Sequence, residues 1–315
     1  MRIFAVIAIS CIAALTSSCS QTTGYLSGNC YETHRSYVPT MHTQAPIPTA
    51  ASRVYGNRRN SLVPPRPLSA PSTPAPAPNC AAVCVIDPRT GNVLYGHNMH
   101  ERRQVASTQK IITALCACDV GELDRMMTIT RQDKISVTPI RSRLQVGESY
   151  TRGAIMHAML TASCNDLAQA LARDSAGSVE RFVQRMNARA RRMRMYNSHF
   201  VNPSGLPGPQ YSTAYDMALA ACYAYTNPVI RNFIDDTQVI LTRPNGQPVT
   251  FNNTNKLLSH SWVQGMKTGY TNAAKRCLIS CGSVNGQAVI VVVLGCEKRR
   301  IWAESEKYLR WALGL

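Results

Sequence analysis

The sequence predicts a mixed α/β (α+β) fold, with one mainly antiparallel five-stranded sheet flanked by helices and a separate helical lobe. Three observations carry this prediction. Strand signals stand at both ends of the globular part, a long stretch of helical period lies between them, and an amphipathic helix closes the chain. Residues 81–98, AAVCVIDPRTGNVLYGHN, read as a hairpin: a β-rich run, a turn at Asp-Pro-Arg-Thr-Gly-Asn, then a second short strand. Residues 105–118, VASTQKIITALCAC, read as a helix with Ile111, Leu115 and Cys118 on one face and a stop at Asp119-Val120-Gly121. From about 150 to 225 apolar residues recur three and four apart. After Pro248 strands return, and 263–271, 275–284 and 287–296 read as three consecutive antiparallel strands that bring the sheet to five. Acidic residues among the polar positions of the last helix, RRIWAESEKYLRWALG, favour packing on the core over lying on a membrane. A cleft between a sheet edge and a helical lobe is a natural place for a site.

Residues 1–18 have a charged start, an apolar run from Ile3 to Leu15 and small residues at the end, the pattern of an export signal. Leu-Thr-Ser-Ser-Cys, ending at Cys19, approaches a bacterial lipobox, with Leu15 one place further from the cysteine than usual. The expected location is therefore the periplasm or cell envelope, with membrane attachment through a lipid on Cys19 as one alternative and a soluble exported protein as the other. Residues 19–78 are Pro-rich with few aliphatics and read as an extended tether, leaving 79–315 as one globular domain. The net charge is +17, dense in ERFVQRMNARARRMRM. Such a surface favours anionic partners, of which nucleic acid fits an exported protein least; a solvated basic helix face is the equal alternative. Twelve cysteines in an oxidising compartment permit disulfides, and neighbouring cysteines are badly spaced for pairing, so any bridge joins distant segments. No cysteine and histidine spacing resembles a metal site, and no cofactor is expected.

Ser107 and Lys110 stand three apart on a predicted helix, so their side chains share a face. A serine hydroxyl needs a proton acceptor, and a lysine accepts a proton only when desolvation or a nearby cation lowers its pKa. Ser-x-x-Lys occurs once here. Ser-x-Asn occurs at 27, 163 and 283, and Lys-Thr-Gly once, at Lys267, Thr268 and Gly269.

In that order, Ser107-x-x-Lys110, Ser163-x-Asn165 and Lys267-Thr268-Gly269 resemble the active-site set of the penicillin-binding and serine β-lactamase superfamily. The segments ASTQKIIT, MLTASCNDLAQALA, FVQRMNARA, FVNPSGLPG, YSTAYDMALA, NTNKLL and GMKTGYT narrow the resemblance to the D-alanyl-D-alanine carboxypeptidases, the low-molecular-weight penicillin-binding proteins. It covers nearly all of 79–315. The resemblance implies a β-lactamase/transpeptidase-like fold and a serine peptidase that removes the terminal D-alanine from peptidoglycan stem pentapeptides. Ser107 would form an acyl-enzyme, Lys110 would take its proton, and Ser163, bridging towards Lys110 and Lys267, would protonate the departing amine. Asn165 would bond the acyl side of the substrate. Lys267 and Thr268 would hold its terminal carboxylate, Gly269 would let the backbone come close, and the N–H groups of Ser107 and Tyr270 would form the oxyanion hole. β-Lactams would acylate Ser107. Gln109, Cys164 and Ser204 depart from the family pattern where threonine, a small residue and histidine are usual. Alternatives are a DD-endopeptidase of the same family, a serine β-lactamase, for which no Glu-x-x-Leu-Asn segment is present, and a non-catalytic wall-binding lipoprotein.

Overall fold

The first strand, β1 (Ala82–Ile86), is apolar and buried at every position because both faces of its sheet are covered. In the computed structural model, which describes residues 68, 71–134, 140–297 and 300–315, it lies in a five-stranded sheet. The order is β2 (Val93–His97), β1, β9 (Gln287–Cys296), β8 (Lys275–Val284) and β7 (Val263–Thr271), and all four pairings are antiparallel. The predicted hairpin thus joins the three C-terminal strands through β9. The predicted signal, Cys19 and most of the tether lie outside the described residues.

Side chains alternate between the two faces. Ala82, Cys84, Ile86, Ile279, Ile290 and Val292 face the larger core with the helical lobe, whereas Val83, Val85, Leu278, Val289, Val291 and Val293 lie under α7 (Ile301–Leu313). The apolar stripe of α7 (Ile301, Tyr308, Leu309, Ala312) is buried there, so the closing helix packs on the sheet as its acidic residues suggested. Residues 73–79, the end of the predicted tether, are docked along this helix. Trp311 Nε1 donates to Thr73 O at 2.9 Å, Tyr308 Oη to Pro76 O at 3.0 Å and Lys307 Nζ to Ala77 O at 2.6 Å, while the Glu304 carboxylate accepts from the backbone and side chain of Asn79.

The lobe is built from α1 (Lys110–Val120), α2 (Arg152–Ala162), α3 (Asn165–Ala176), α4 (Val179–Arg192), α5 (Ala214–Thr226) and α6 (Pro228–Ile234). Their ends follow from local chemistry. Ser178 Oγ caps α4 by accepting from Arg181 N, and Asn227 Oδ1 accepts from Val229 N and Ile230 N where Pro228 opens α6. Phe182, Met186 and Ala190 turn inward from α4, and its arginines stay outside; Arg189 pairs with Asp119 at 3.1 Å. The arginine run is thus a basic helix face.

Two small ribbons interrupt the predicted pattern: β3 (Met126–Thr128) with β4 (Ser149–Thr151), and β5 (Gln238–Thr242) with β6 (Pro248–Asn252). Three-residue strands carry no readable period, which is why β3 and β4 escape the sequence. The nine described cysteines are all free, and seven are buried. Burial pushes the Cys84, Cys277 and Cys281 thiols up to about 12, and they pack as small apolar residues.

Candidate active site

The chain reaches Ser107 through a strained turn. Ala106 has φ +48°, unusual for a residue with a Cβ, and opens a 3-10 turn over Ala106–Gln109 that runs directly into α1. Thr108 holds the turn by donating its hydroxyl to Val105 O at 2.6 Å. Two glycines press on it from outside. A Cβ on Gly205, at φ +84°, would lie 2.1 Å from Ala106 O, and one on Gly269 would lie 3.0 Å from Ser107 N. Ser107 is thus fixed between the 202–205 loop and strand β7.

Lys110, the first residue of α1, is fully buried. Its Nζ lies 2.8 Å from Ser107 Oγ, 2.7 Å from Asn165 Oδ1 and 2.6 Å from Ser204 O. Burial, and secondly the positive charge of Lys267, hold its pKa well below 10.5. A neutral amine has two N–H groups and one lone pair. Asn165 Oδ1 and Ser204 O are acceptors and take the two N–H groups, so the lone pair is left facing the serine hydroxyl. The geometry is that of a base aimed at its nucleophile.

The αL backbone of Ser163, φ 63°, ends α2 and lets α3 begin at Asn165. Ser163 lines the same cleft as Ser107, but it is not a hydrogen-bond partner of Lys110 or Lys267. The expected bridge from Ser163 is replaced by the direct contacts of Lys110 with Ser107, Asn165 and Ser204. Asn165 Oδ1 accepts from Lys110 Nζ, so this side chain also holds the base, a contact the sequence did not indicate. Asp166 accepts from Ser142 N, Ser142 Oγ and Lys134 Nζ, and Asn165 N donates to Ile140 O, which seats residues 140–142 over the start of α3. The Cys164 thiol is buried and burial pushes it up to about 12, despite three lysines that pull the other way.

On β7, Lys267 is 1% exposed and donates to Thr268 O at 3.1 Å. Burial lowers its pKa to about 7. Thr268 Oγ1 lies 2.5 Å from Thr254 Oγ1. Thr268, Gly269 and Tyr270 line the cleft with Ser107 and Ser163, so all three sequence motifs meet at one place. Half of Tyr270 is exposed. Among the described residues no group of histidine, cysteine and carboxylate side chains is arranged to hold a metal ion.

Other residues of the site stood in the sequence only as departures from the family pattern, or not at all. Ser204 acts through its backbone carbonyl. Gln109 anchors that loop, its Nε2 donating to Asn202 O at 2.6 Å, while Asn202 Oδ1 accepts from the N–H groups of Ser204 and Gly205. The departure at Gln109 therefore has a structural use: it ties α1 to the loop that orients the base. Thr254 and Arg276 also line the cleft.

A serine faced by a buried lysine at the meeting of a sheet edge and a helical lobe is the arrangement of an active-serine enzyme in which lysine stands where histidine more often does. The chain belongs to the D-alanyl-D-alanine carboxypeptidase family of serine peptidases, whose family model matches residues 70–298. It is 34% identical over 217 residues to the D-alanyl-D-alanine carboxypeptidase DacF of Bacillus subtilis, covering 67% of this chain and 56% of that protein. It is 31% identical to a D-alanyl-D-alanine endopeptidase of Pseudomonas aeruginosa, over 72% of this chain and 75% of the relative. Among solved structures, a D-alanyl-D-alanine carboxypeptidase from Mycobacterium tuberculosis matches with a TM-score of 0.73 at 28% identity, covering 78% of this chain and 96% of that one. The Streptomyces K15 DD-transpeptidase also matches with a TM-score of 0.73, at 27% identity, over 77% of this chain and all of that one.

Proposed function

We propose that this chain is a serine-type D-Ala-D-Ala carboxypeptidase that removes the terminal D-alanine from peptidoglycan stem pentapeptides. The observation that carries the reading is the 2.8 Å separation of the buried Lys110 Nζ from Ser107 Oγ. Ser107 attacks the carbonyl between the two D-alanines while Lys110 takes its proton. The N–H groups of Ser107 and Tyr270 hold the oxyanion, a contribution on the order of 3 kcal/mol. Ser163 passes a proton to the departing amine, and the peptide bond breaks to leave an acyl-enzyme. Asn165 keeps Lys110 in place and borders the acyl side. Gly269, without a side chain, lets the substrate backbone approach β7. Lys267 and Thr268 face the terminal carboxylate. Water then releases the tetrapeptide.

The relatives named as endopeptidases favour a second reading of the same site, in which the leaving amine belongs to a cross-linked stem. The two share the acyl-enzyme and differ only in the leaving group. Mass spectrometry of purified protein mixed with a stem pentapeptide, a cross-linked dimer or penicillin tests both. Wild type is expected to release D-alanine and to gain one penicilloyl adduct, and Ser107→Ala to do neither. Adduct on Ser107→Ala, or no product from either peptide, overturns the reading.

The same reading supplies the location. The domain from 79 works in the cell envelope, exported by residues 1–18 and reaching the wall on the part of the tether 19–78 that precedes the docked residues from Thr73 onward. A lipid on Cys19 attaches it to the membrane, and no helix among the described residues is long and apolar enough to cross one. Cys19→Ala is expected to leave the membrane fraction, and equal partitioning of variant and wild type refutes the anchor.

A further inference from the structure

Three prolines at alternate positions, Pro74, Pro76 and Pro78, end the Pro-rich stretch. Each fixes its own φ and drives the residue before it into extended backbone, so residues 73–78 are confined to the polyproline II helix. Residues 74–79 accordingly lie in neither α-helix nor strand. A polyproline II helix turns once in about three residues and makes no internal hydrogen bonds, which leaves its carbonyls to other donors.

Those donors come from α7 in matching order. Thr73 O and Pro76 O, three residues apart, accept from Trp311 Nε1 and Tyr308 Oη, which are three apart on one face of the helix. Lys307 Nζ donates to Ala77 O, and Glu304 accepts from Asn79, so each step forward along the segment pairs with a step back along α7. The surface that receives the segment is aromatic. Tyr308 stacks on Tyr95 of β2 with ring centroids 5.4 Å apart, and Trp311 meets the same Tyr95 ring edge-on at 6.1 Å. Aromatic rings that carry an N–H or O–H donor, set along a groove, are the means by which peptide-binding domains read a polyproline II ligand. A ligand already in its bound shape loses little entropy on docking.

We propose that the face of α7 beside β2 is a recognition groove for a polyproline II peptide, and that its ligand is the chain's own segment 71–79. No residue of 71–79 is fully buried, so the segment can leave without opening either core. Seated, it meets the domain beside β2, the border of the sheet opposite β7. The Ser107 cleft is thereby turned away from the place where the tether joins.

The test uses a peptide of residues 71–79, acetylated and amidated, and reads the indole N–H signal of Trp311 by NMR. One protein is wild type, and the other is the full chain with 71–78 replaced by alternating glycine and serine. The replaced chain is expected to bind the peptide and shift the Trp311 signal. Wild type is expected to bind it about tenfold more weakly or worse, because its own segment competes at an effective concentration on the order of 1 mM. A peptide with glycine in place of the three prolines should bind at least about tenfold more weakly, since each freed residue must be ordered. Tyr308→Phe in the replaced chain keeps the ring and should lower affinity about 2- to 12-fold, the loss of one hydrogen bond. A folded replaced chain whose Trp311 signal does not move, or one that binds the glycine peptide equally well, overturns the proposal. A second variant needs no replacement. Ser72→Arg, at an exposed position, places a tryptic site at the start of the segment in the otherwise native chain. Cleavage there, mapped by mass spectrometry, should be about 2- to 12-fold faster when Tyr308→Phe is added, and equal rates overturn the proposal.

Discussion

Lys110→Met is expected to slow acylation of Ser107 by about 10²- to 10⁴-fold, the range that a positioned general base supplies. The measurement is the rate of adduct formation with a labelled penicillin. Lys110→Arg is expected to be no better, although it keeps the positive charge and much of the length, because a guanidinium does not lose its proton in a protein. Wild-type acylation should rise with pH and level off well below the ordinary lysine range, since burial and the Lys267 charge hold Lys110 down. Stability moves oppositely to activity in the variant. A lysine whose pKa is lowered by folding binds more protons when unfolded, between its folded and its unfolded values. Its contribution to stability therefore rises with pH through that window, and is lost as pH falls. For Lys267 the window runs from about 7 to the ordinary lysine value of 10.5. Lys110→Met removes one such group, so melting curves against pH should be flatter than those of wild type over the alkaline range, with no loss of folded protein at neutral pH. An acylation rate within tenfold of wild type would show that another group takes the serine proton.

Gly205→Ala is expected to reduce acylation by about 10²-fold or more, the scale on which a displacement of roughly 1 Å at the reacting atoms costs rate. The added methyl would meet Ala106 O at 2.1 Å and Ala106 C at 2.3 Å, both backbone atoms, so the loop and the nucleophile turn must part. That movement also withdraws Ser204 O from Lys110. Gly246→Ala is the matched control. Gly246 has φ +82°, close to the +84° of Gly205, yet nothing lies within 4 Å of its added Cβ. It should show a similar backbone strain, on the order of 1–3 kcal/mol in melting, with unchanged penicillin acylation. Equal kinetic losses in the two variants would mean that strain alone, and not the contact with Ala106, accounts for the Gly205 effect.

What the sequence revealed and what it hid divide along a physical line. Side chains that react carry their own signature, so Ser107 with Lys110, Ser163-x-Asn165 and the Lys267 to Gly269 run could be read before any fold was known. The long strands β8 and β9 were legible because both their faces are buried and apolar residues dominate them, whereas β7 mixes Gln264, Lys267 and Thr268 among its apolar residues and was read beside its motif. Backbone groups carry no such signature. The Ser204 carbonyl that accepts from Lys110 looks, in sequence, like any carbonyl in a Pro-Ser-Gly loop. Gln109 looked like a flaw in the first motif because its partner, Asn202, lies 93 residues away. The assignments of Ser163 and Asn165 came from resemblance, and it took the contacts of Lys110 to show that Asn165 also holds the base.

β7 ends the sheet, with β8 on one side and no strand beyond it among the described residues. Most proteins blunt such a border, because a row of free amide donors and acceptors attracts any extended chain that drifts past. An enzyme that binds a peptide there needs that row open. Thr254, Ile140 and Trp302 crowd the opening from different parts of the chain. A border open to one extended chain is open to the edge of a loosened copy as well, so the side of the sheet that faces the cleft is also where the fold risks adhering to its neighbour.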